Sequence, residues 1–373
     1  MEKKSYIGHF RGLELLRFAL SLIVIIYHYQ HFFYPFVPIA KSDVYHFDQP
    51  FYQVLGFFYN YGYYAVQVFW LISGIIFFKI YQQKINDNKV DFKSFAVNRF
   101  SRLYPLHFLM LMSVVALQFL FQSRYGNFFV YNNNGLKEFF QNLLFVQTWG
   151  HNKFSFNGPT WSVSIEILVY IVFFVIAKSG FLSSKKSLLL TIIFFVIVKK
   201  WQLVFLNDDL TTCFYFFFCG CGFIYLYEKV RDHTKVVIAS ILLMCIALYI
   251  VLHPPGSLGN ILDKVTGYLD INLLLISMIA VVAFLFVFSH GIFDRINNKV
   301  FQFFGDMTYS TYLIHFPLQM IFFLLLKPAN YQLFLDPKIF LLYMLTVIIL
   351  GRLVFIYVEV PLQAWLRNKF QSK

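Results

Sequence analysis

Residues 12–31 read GLELLRFALSLIVIIYHYQH, an apolar run that carries Glu14, Arg17 and His28. The run is long enough for a helix to cross a bilayer. At about 100° per residue, residues eleven apart return to within about 20° of the same direction, so Arg17 and His28 lie on one helix face, roughly 16 Å apart along the axis. Ionisable side chains inside a span are costly and point to function. The structural alternative is that Arg17 snorkels to the inner interface and His28 bonds to a neighbouring helix.

The composition of the 373-residue chain is that of a membrane protein. Charged residues make up 13% and hydrophobic residues 59%, whereas soluble domains carry about 25% charged residues. The net charge of +13 is explained by cytoplasmic loops that face anionic lipid. We therefore expect the lipid bilayer as a partner and no nucleic acid. The four cysteines have spacings that fit neither a disulfide framework nor a zinc site, so no metal is expected.

Apolar runs of spanning length predict an all-α polytopic membrane protein. Ten runs qualify, with approximate limits at 12–33, 62–81, 103–121, 161–177, 187–205, 210–227, 236–252, 269–289, 307–326 and 338–358. The run 187–205 is interrupted by Lys199 and Lys200. A shorter piece, 136–149, suits a re-entrant or interfacial helix. We expect a single transmembrane domain over residues 1–373 without an appended soluble domain, and a retained first helix because no small-residue cleavage site follows it.

The distribution of basic residues predicts the orientation. Lys and Arg are concentrated in the loop 79–102, which is cytoplasmic if the N-terminus is inside. The positive-inside rule therefore places both termini in the cytoplasm. In this orientation Arg17 lies toward the cytoplasm and His28 toward the outer half of the membrane, and the long outer loops are 34–61 and 122–160.

Two stretches carry candidate binding groups on opposite sides of the membrane. In RFSRLYP, residues 99–105, two arginines three apart share a helix face and suit a phosphate or pyrophosphate, although such pairs also serve as ordinary inner-surface anchors. In WSVSIE, residues 161–166, Ser162 and Glu166 share a face. A carboxylate in the membrane needs a partner, for which Arg17 or a protonated histidine is a candidate, whereas Trp161 alone is typical of an interface anchor.

Two further stretches concern helix packing and the last candidate histidine. VFWLISGIIFF, residues 68–78, contains Ser73-Gly74, which allows close approach of another backbone and predicts helix packing. In YSTYLIHFP, residues 309–317, Tyr309 stands at the helix entry, where tyrosines are interface residues by default. His315 lies deeper and points to function.

Taken together and in this order, these stretches resemble the acyltransferase 3 family of integral-membrane O-acyltransferases. The family shows an arginine eleven residues before a histidine in the first span, an SGF-type second span, RxxR before YP, WSxSxE, YSxYLxHxP and a closing E-P pair. The matching positions here are Arg17 and His28, VFWLISGII, RFSRLYP, WSVSIE, YSTYLIHFP, and Glu359 with Pro361. The chain departs from the pattern with isoleucine after Ser73-Gly74 and with GLELLR in the first span.

The resemblance implies transfer of an acyl group, usually acetyl from acetyl-CoA, to a sugar hydroxyl of a surface polysaccharide or its lipid-linked precursor. It implies a multi-pass protein of the inner (plasma) membrane with no bound cofactor, acetyl-CoA being the donor substrate. It also implies that Arg17, His28, Arg99 and Arg102 are functional, with the last two holding the phosphates of the donor.

Acyl transfer from a thioester to a hydroxyl suggests further roles for the candidate residues. His28 acts as the general base for the sugar hydroxyl, or as a nucleophile through an acetyl-histidine. Arg17 orders the donor or holds the thioester oxyanion, and Glu166 orients His28. The candidate substrate-binding residues are Trp161, Ser162, Tyr309 and His315.

Three alternatives remain open at this stage. In the first, the protein is still an acyltransferase, but the acceptor is a small secondary metabolite or the donor is another acyl-CoA. In the second, the chain is a secondary transporter, in which intramembrane Arg, His and Glu are equally natural. In the third, it is a structural scaffold. Transporters often show two related halves with matching broken helices, and no such pairing is visible in the sequence. A scaffold gives no reason for Arg17 and His28 to face one way.

Overall fold

The structure is a computed structural model that describes residues 11–36, 47–150, 154–201, 207–252, 270–289, 296–326 and 331–371. In these ranges the regular structure is helical throughout. The α-helices are α1 Arg11–His28, α2 Tyr52–Tyr61, α3 Ala65–Phe77, α4 Gln83–Asn86, α5 Phe92–Tyr125, α6 Leu136–Leu143, α7 Trp161–Lys178, α8 Lys185–Trp201, α9 Asp208–Val230, α10 Thr234–Leu252, α11 Ile271–Ser289, α12 Asn298–Asp306, α13 Thr308–Leu326, α14 Pro337–Val354 and α15 Val360–Gln371.

Eight helical segments of the described chain are long and apolar enough to cross a membrane, which confirms the all-α polytopic membrane fold. They are Arg11–Phe32, Tyr52–Asn86, Phe92–Tyr125, Gly158–Lys178, Asp208–Lys229, Ile271–Phe288, Asn298–Leu326 and Pro337–Phe370. Each coincides with one of the ten predicted spans. The other two predicted spans, 187–205 and 236–252, correspond to α8 and α10. The total of ten and the cytoplasmic placement of both termini stay predictions.

The apolar parts of α8 and α10 are shorter than those of the eight spanning segments. α8 has 17 residues and ends in Lys199, Lys200 and Trp201, and residues 202–205 of the predicted span lie outside the described part of the chain. In α10 the apolar helix covers Thr234–Ile250.

The predicted interfacial or re-entrant piece contains a short helix. α6 has eight residues, about 12 Å of rise, which cannot cross a hydrocarbon core about 30 Å thick. The apolar side chains of Leu136, Phe140 and Leu144 are exposed. A short helix with uncovered apolar groups fits the expected position at the membrane surface, which stays a prediction.

Contacts divide the chain into two compact units. Unit 1 comprises Met1–Phe18, Val66–Asp91 and Ile165–Gly305; unit 2 comprises Ala19–Ala65, Phe92–Ser164 and Asp306–Lys373. The candidate residues Arg17 and Glu166 belong to unit 1, and the other sequence-predicted site residues belong to unit 2. The prediction of a single domain over the chain stays a prediction.

Unit 1 contains a close crossing of α3 and α9 that rests on two glycines. A Cβ on Gly74 would overlap the carbonyl group of Phe217, and a Cβ on Gly220 would overlap that of Leu71. The Sγ atom of Cys221 lies 3.5 Å from the carbonyl oxygen of Gly74. The packing role predicted for Ser73-Gly74 is therefore confirmed, since only glycine leaves room for a backbone at this distance.

Lys199, one of the two lysines that interrupt the predicted span 187–205, forms ion pairs inside unit 1. Lys199 is buried, and its Nζ atom lies 2.6 Å from Asp208, 2.6 Å from the hydroxyl of Thr212 and 3.5 Å from Asp270. Burying a lysine is costly unless it is paired and hydrogen-bonded. The two carboxylates and the hydroxyl join α8 to α9 and to the start of α11.

Unit 2 holds a core that is mostly aromatic and aliphatic side chains of α1, α5, α13 and α14. Tyr29, Phe32, Phe121, Phe316 and Tyr343 are among its fully buried members. Such a core fixes the C-terminal end of α1 against the middle of α13, which is where the candidate histidines lie.

Candidate active site

The C-terminal end of α1 places His28 beside α13 within unit 2. The α-helix ends at His28 and continues as a 3-10 turn, Tyr29–Phe32. Carbonyl groups at a helix end lack intrahelical partners, and the carbonyl of His28 accepts a hydrogen bond of 2.6 Å from Nε2 of Gln319. The backbone that carries His28 is thus held by a side chain of α13.

His28 forms a direct hydrogen bond to a second histidine, His315. Its Nδ1 atom lies 2.9 Å from Nε2 of His315, and the two ring planes are within 5° of each other at a centroid separation of 5.0 Å. Rings packed face to face at that separation could not bring these nitrogens so close. The imidazoles therefore lie side by side in nearly one plane, which directs the in-plane lone pair of one nitrogen at the proton of the other.

The partners of His315 determine which nitrogen of His28 carries a proton. Nδ1 of His315 bonds to the carbonyl oxygen of Tyr312, and because a carbonyl can only accept, Nδ1 is the protonated nitrogen. Nε2 of a neutral His315 is then an acceptor, so Nδ1 of His28 is the donor. It follows that Nε2 of His28 is unprotonated, and among the described residues it has no hydrogen-bond partner. This is the arrangement of a general base held by an orienting group.

A third histidine completes the cluster. The ring of His31 lies 4.9 Å from that of His28 with planes 20° apart. Its Nδ1 atom lies 3.2 Å from Oε1 of Gln319, whose amide group already donates to the His28 carbonyl. Gln319 therefore ties together the backbone of His28 and the ring of His31. His28 is half-buried, whereas His31 and His315 are buried.

Proline in α13 shapes the helix around His315. Pro317 has no N–H, which leaves the carbonyl of Leu313 without its helical donor. Nδ2 of Asn157, at 3.2 Å, donates to that carbonyl, and the hydroxyl of Tyr343 donates to the carbonyl of His315 at 3.0 Å. The Asn157-Gly158-Pro159 segment thus supplies a hydrogen-bond donor to the helix that carries His315.

The predicted substrate-binding residues Trp161 and Ser162 lie at the start of α7. The hydroxyl of Tyr312 donates to the carbonyl of Pro159 at 2.6 Å, which leaves its oxygen to accept from Ser162 at 3.0 Å. Ser162 therefore connects α7 to the turn of α13 that precedes His315. Trp161 is buried, with its ring 6.0 Å from that of Phe154.

The other candidate residues of unit 2 lie around the N-terminal part of α5. The hydroxyl of Tyr309 donates to the carbonyl of Leu103 at 2.7 Å, two residues before the helix proline Pro105. Arg99 and Arg102 are half-buried on the same helix. Tyr309 thus joins α13 to α5, and its binding role and those of the arginine pair stay predictions.

In unit 1, Arg17 and Glu166 have partners that the sequence reasoning did not name. Arg17 pairs with Glu14, one helical turn earlier, at 3.2 Å, and the carboxylate of Glu14 occupies space left open by Gly305. Glu166 accepts a hydrogen bond from the hydroxyl of Ser73. Catalytic roles for Arg17 and Glu166 stay predictions.

The sequence patterns do not assign a role to His31 or Gln319, although His31 lies inside the stretch 12–31 and Gln319 lies two residues after the stretch 309–317. His31 follows His28 by three residues, and Gln319 follows His315 by four residues, so each shares a helix face with its histidine. That spacing was an available signal. Within the described residues, no group of three His, Cys, Asp or Glu side chains is arranged to hold a metal ion.

Comparison with protein families assigns the chain to a family. The model of a family described as an acyltransferase domain, the acyltransferase 3 family, matches residues 10–356. No curated protein and no solved structure shows a significant match to the chain.

Proposed function

The chain belongs to the acyltransferase 3 family and is a multi-pass membrane acyltransferase, and we propose that it moves an acetyl group from cytoplasmic acetyl-CoA to a sugar hydroxyl. The acceptor is a surface polysaccharide or its lipid-linked precursor, and the enzyme acts in the inner (plasma) membrane. His28 is the general base. The observation that carries the proposal is the bond between His28 and His315, which leaves Nε2 of His28 unprotonated.

The reaction follows from that protonation state. Nε2 of His28 accepts the proton of the sugar hydroxyl while the hydroxyl oxygen attacks the thioester carbonyl. The carbon–oxygen bond forms, the carbon–sulfur bond breaks, and the proton passes from His28 to the departing sulfur of CoA. The bond to His315 keeps the ring oriented and disperses the positive charge that His28 acquires.

The cytoplasmic donor is assigned to the N-terminal part of α5. CoA carries phosphates, and two guanidiniums one helical turn apart bind phosphate oxygens in bidentate fashion. Arg99 and Arg102 have that spacing and are half-buried, which limits competition from water. We assign the phosphates of acetyl-CoA to this pair, and the ordering of the donor, or stabilisation of the thioester oxyanion, to Arg17.

The base is tested with purified protein in lipid nanodiscs, where both faces are accessible. Labelled acetyl-CoA is supplied with de-O-acetylated surface polysaccharide from cells that lack the protein, and label in the polysaccharide is counted. His28→Ala should lower kcat by about 10²–10⁴-fold, the usual contribution of general base catalysis. His233→Ala, a change of an exposed histidine of unit 1, is the matched control. If His28→Ala transfers label as fast as wild type, the assignment of the base is wrong.

The donor site is tested in the same assay. Arg99→Ala with Arg102→Ala should raise the KM for acetyl-CoA by about tenfold or more, because each charge-assisted hydrogen bond contributes about 1.5–3 kcal/mol. The KM for the acceptor should stay constant. Lys89→Ala with Lys93→Ala is the matched control, because it removes the same charge from exposed positions of the predicted loop 79–102. If both double variants raise the KM for acetyl-CoA equally, the effect is general electrostatic attraction, and the assignment of the donor phosphates to Arg99 and Arg102 is wrong.

A further inference from the structure

A line of rings leads from the surface of unit 2 to the base. The ring of Phe154 lies 5.8 Å from that of Tyr131, which lies 5.9 Å from His31, and His31 lies 4.9 Å from His28. Phe154 is 39% exposed, whereas Tyr131 is 8% exposed. One end of this line is thus open to a ligand, and the other end is the general base.

The exposed ring is not on a helix that faces lipid. Phe154 belongs to the irregular segment before the 3-10 turn Gly158–Thr160, in the loop 122–160 that the charge distribution predicts to be outside. Its ring is flanked by Tyr131 and by Trp161 at 6.0 Å. An exposed aromatic face between two others suits the apolar C–H face of a sugar ring, since the π-face carries partial negative charge.

The backbone around Tyr131 is held by several hydrogen bonds. The side chain of Gln118 bonds to both backbone groups of Phe129, at 2.8 and 3.0 Å, and Asn134 donates to the carbonyl of Tyr131 at 2.6 Å. The valine between them, Val130, has a φ of +58°. A β-branched residue in the left-handed region is strained, and such strain is typical of functional sites.

The same loop is tied to the segment that carries Phe154. Oδ1 of Asn134 accepts a bond of 2.6 Å from the backbone N–H of Phe156. The ring of Tyr131 also lies so close to Gly158 that any Cβ there would overlap it. The backbone segments that carry Tyr131 and Phe154 are therefore held next to each other.

Polar groups that can recognise hydroxyls converge on the inner end of the line. Among the described residues, the hydroxyls of Tyr131 and Tyr27 have no hydrogen-bond partner. Burial raises the pKa of Tyr131, and the nearby phenols of Tyr27 and Tyr312 raise it further. Tyr131 therefore stays neutral at physiological pH, able to donate and to accept a hydrogen bond.

We propose that the acceptor binds as a saccharide chain with one sugar ring stacked on Phe154, and that a sugar further along the chain bonds through its hydroxyls to Tyr131 and Tyr27 and directs one hydroxyl at His28. This assignment rests on the proposed function, because it uses His28 as the base. It adds an acceptor subsite that belongs to unit 2 and identifies Phe154 as a specificity residue. Ligand sites of this kind combine aromatic surface with a few converging polar groups.

The subsite is tested by binding, without need of the reaction. Oligosaccharides from partial hydrolysis of the de-O-acetylated polysaccharide are titrated calorimetrically into nanodisc protein. Phe154→Ala should weaken binding about tenfold, as expected for loss of one stacking platform, and Phe154→Trp should restore it. Phe140→Ala, which removes another exposed phenylalanine of unit 2, should bind like wild type. Tyr131→Phe should weaken binding without loss of folding.

The outcomes separate this inference from the proposed function. Binding that depends on Phe154, in a protein that transfers no acetyl group, keeps the subsite and overturns the function. Transfer that depends on His28, with equal acceptor affinity for Phe154→Ala and Phe140→Ala, keeps the function and overturns the subsite. A wild-type protein that neither binds nor acetylates the oligosaccharides overturns both.

Discussion

At the scale of single residues, the candidate site depends on which ring nitrogens of His28 and His315 carry protons. An isolated histidine has two interchangeable tautomers, and only one of them leaves Nε2 of His28 able to accept a proton. The choice is made two hydrogen bonds away, where the carbonyl of Tyr312 can only accept from His315. We therefore propose that His315 positions His28, and the predicted substrate-binding role of His315 stays a prediction.

This assignment predicts how substitutions of the two histidines combine. His315→Ala should reduce kcat about 10²-fold or more, because Nδ1 of His28 loses the acceptor that fixes its tautomer. The double variant with His28→Ala should be no slower than His28→Ala alone, because residues that act as a unit are not additive. Steady-state kinetics of the wild type, the two single variants and the double variant complete this double-mutant cycle. Additive losses would show that His315 acts independently of His28.

His315→Gln keeps an acceptor oxygen for Nδ1 of His28 and serves as the conservative variant. It should recover part of the activity that His315→Ala loses, whereas a purely space-filling role would be served equally well by His315→Met. Activity of the Met variant equal to that of the Gln variant would contradict the hydrogen-bonding role.

At the scale of elements, helices depend on contacts made by distant segments. α13 contains Pro317, and the carbonyl of Leu313 that this proline leaves without a helical donor is satisfied by Asn157. α3 and α9 cross closely because Gly74 and Gly220 lack side chains. In both cases the role of the residue in the helix is visible only together with its partner.

The pairing of Asn157 with Pro317 predicts a compensating substitution. Asn157→Ala should destabilise the protein by about 1–3 kcal/mol, the cost of an unsatisfied buried acceptor. In a Pro317→Ala background the same change should cost much less, since the introduced alanine has its own N–H for the Leu313 carbonyl. Thermal unfolding of the detergent-solubilised variants measures both. An undiminished loss in the double variant would assign Asn157 another role.

The helix crossing in unit 1 predicts a steep size limit at one position. Gly74→Ala should reduce the yield and the apparent Tm of the folded protein, because the new methyl group overlaps the backbone of Phe217. Gly150→Ala is the matched control, since a Cβ there meets nothing within 4 Å. Size-exclusion yield and melting temperature are compared. Equal behaviour of the two variants would mean that α3 and α9 do not pack closely.

At the scale of the whole molecule, the charge distribution predicts a topology that labelling can test. Cys213, Cys219 and Cys221 are buried and Cys245 is exposed, so Cys245→Ser gives a suitable background. In it, Lys89→Cys should react with an impermeant maleimide only in inverted vesicles, and Lys137→Cys only in intact cells. Both positions are exposed. Labelling of Lys89→Cys in intact cells would reverse the orientation and place the donor site on the wrong side.

The sequence by itself determined the class of molecule and the order of its helices. Apolar runs specify spans because unsatisfied backbone groups in lipid leave helices as the available solution, and eight of the ten predicted runs coincide with helices of spanning character. It also indicated His28 and His315, each by itself, as candidate residues, because an ionisable group inside a predicted span is conspicuous in an apolar background.

Only the tertiary structure decided which side chains contact each other. His28 and His315 are 287 residues apart, and no periodicity within one helix can show that their rings share a hydrogen bond. The same holds for the hydrogen bond between Ser73 and Glu166, which lie 93 residues apart in the sequence. Local patterns report the environment of a residue, whereas a protonation state depends on the one atom that faces it, and that atom is chosen by how distant helices pack.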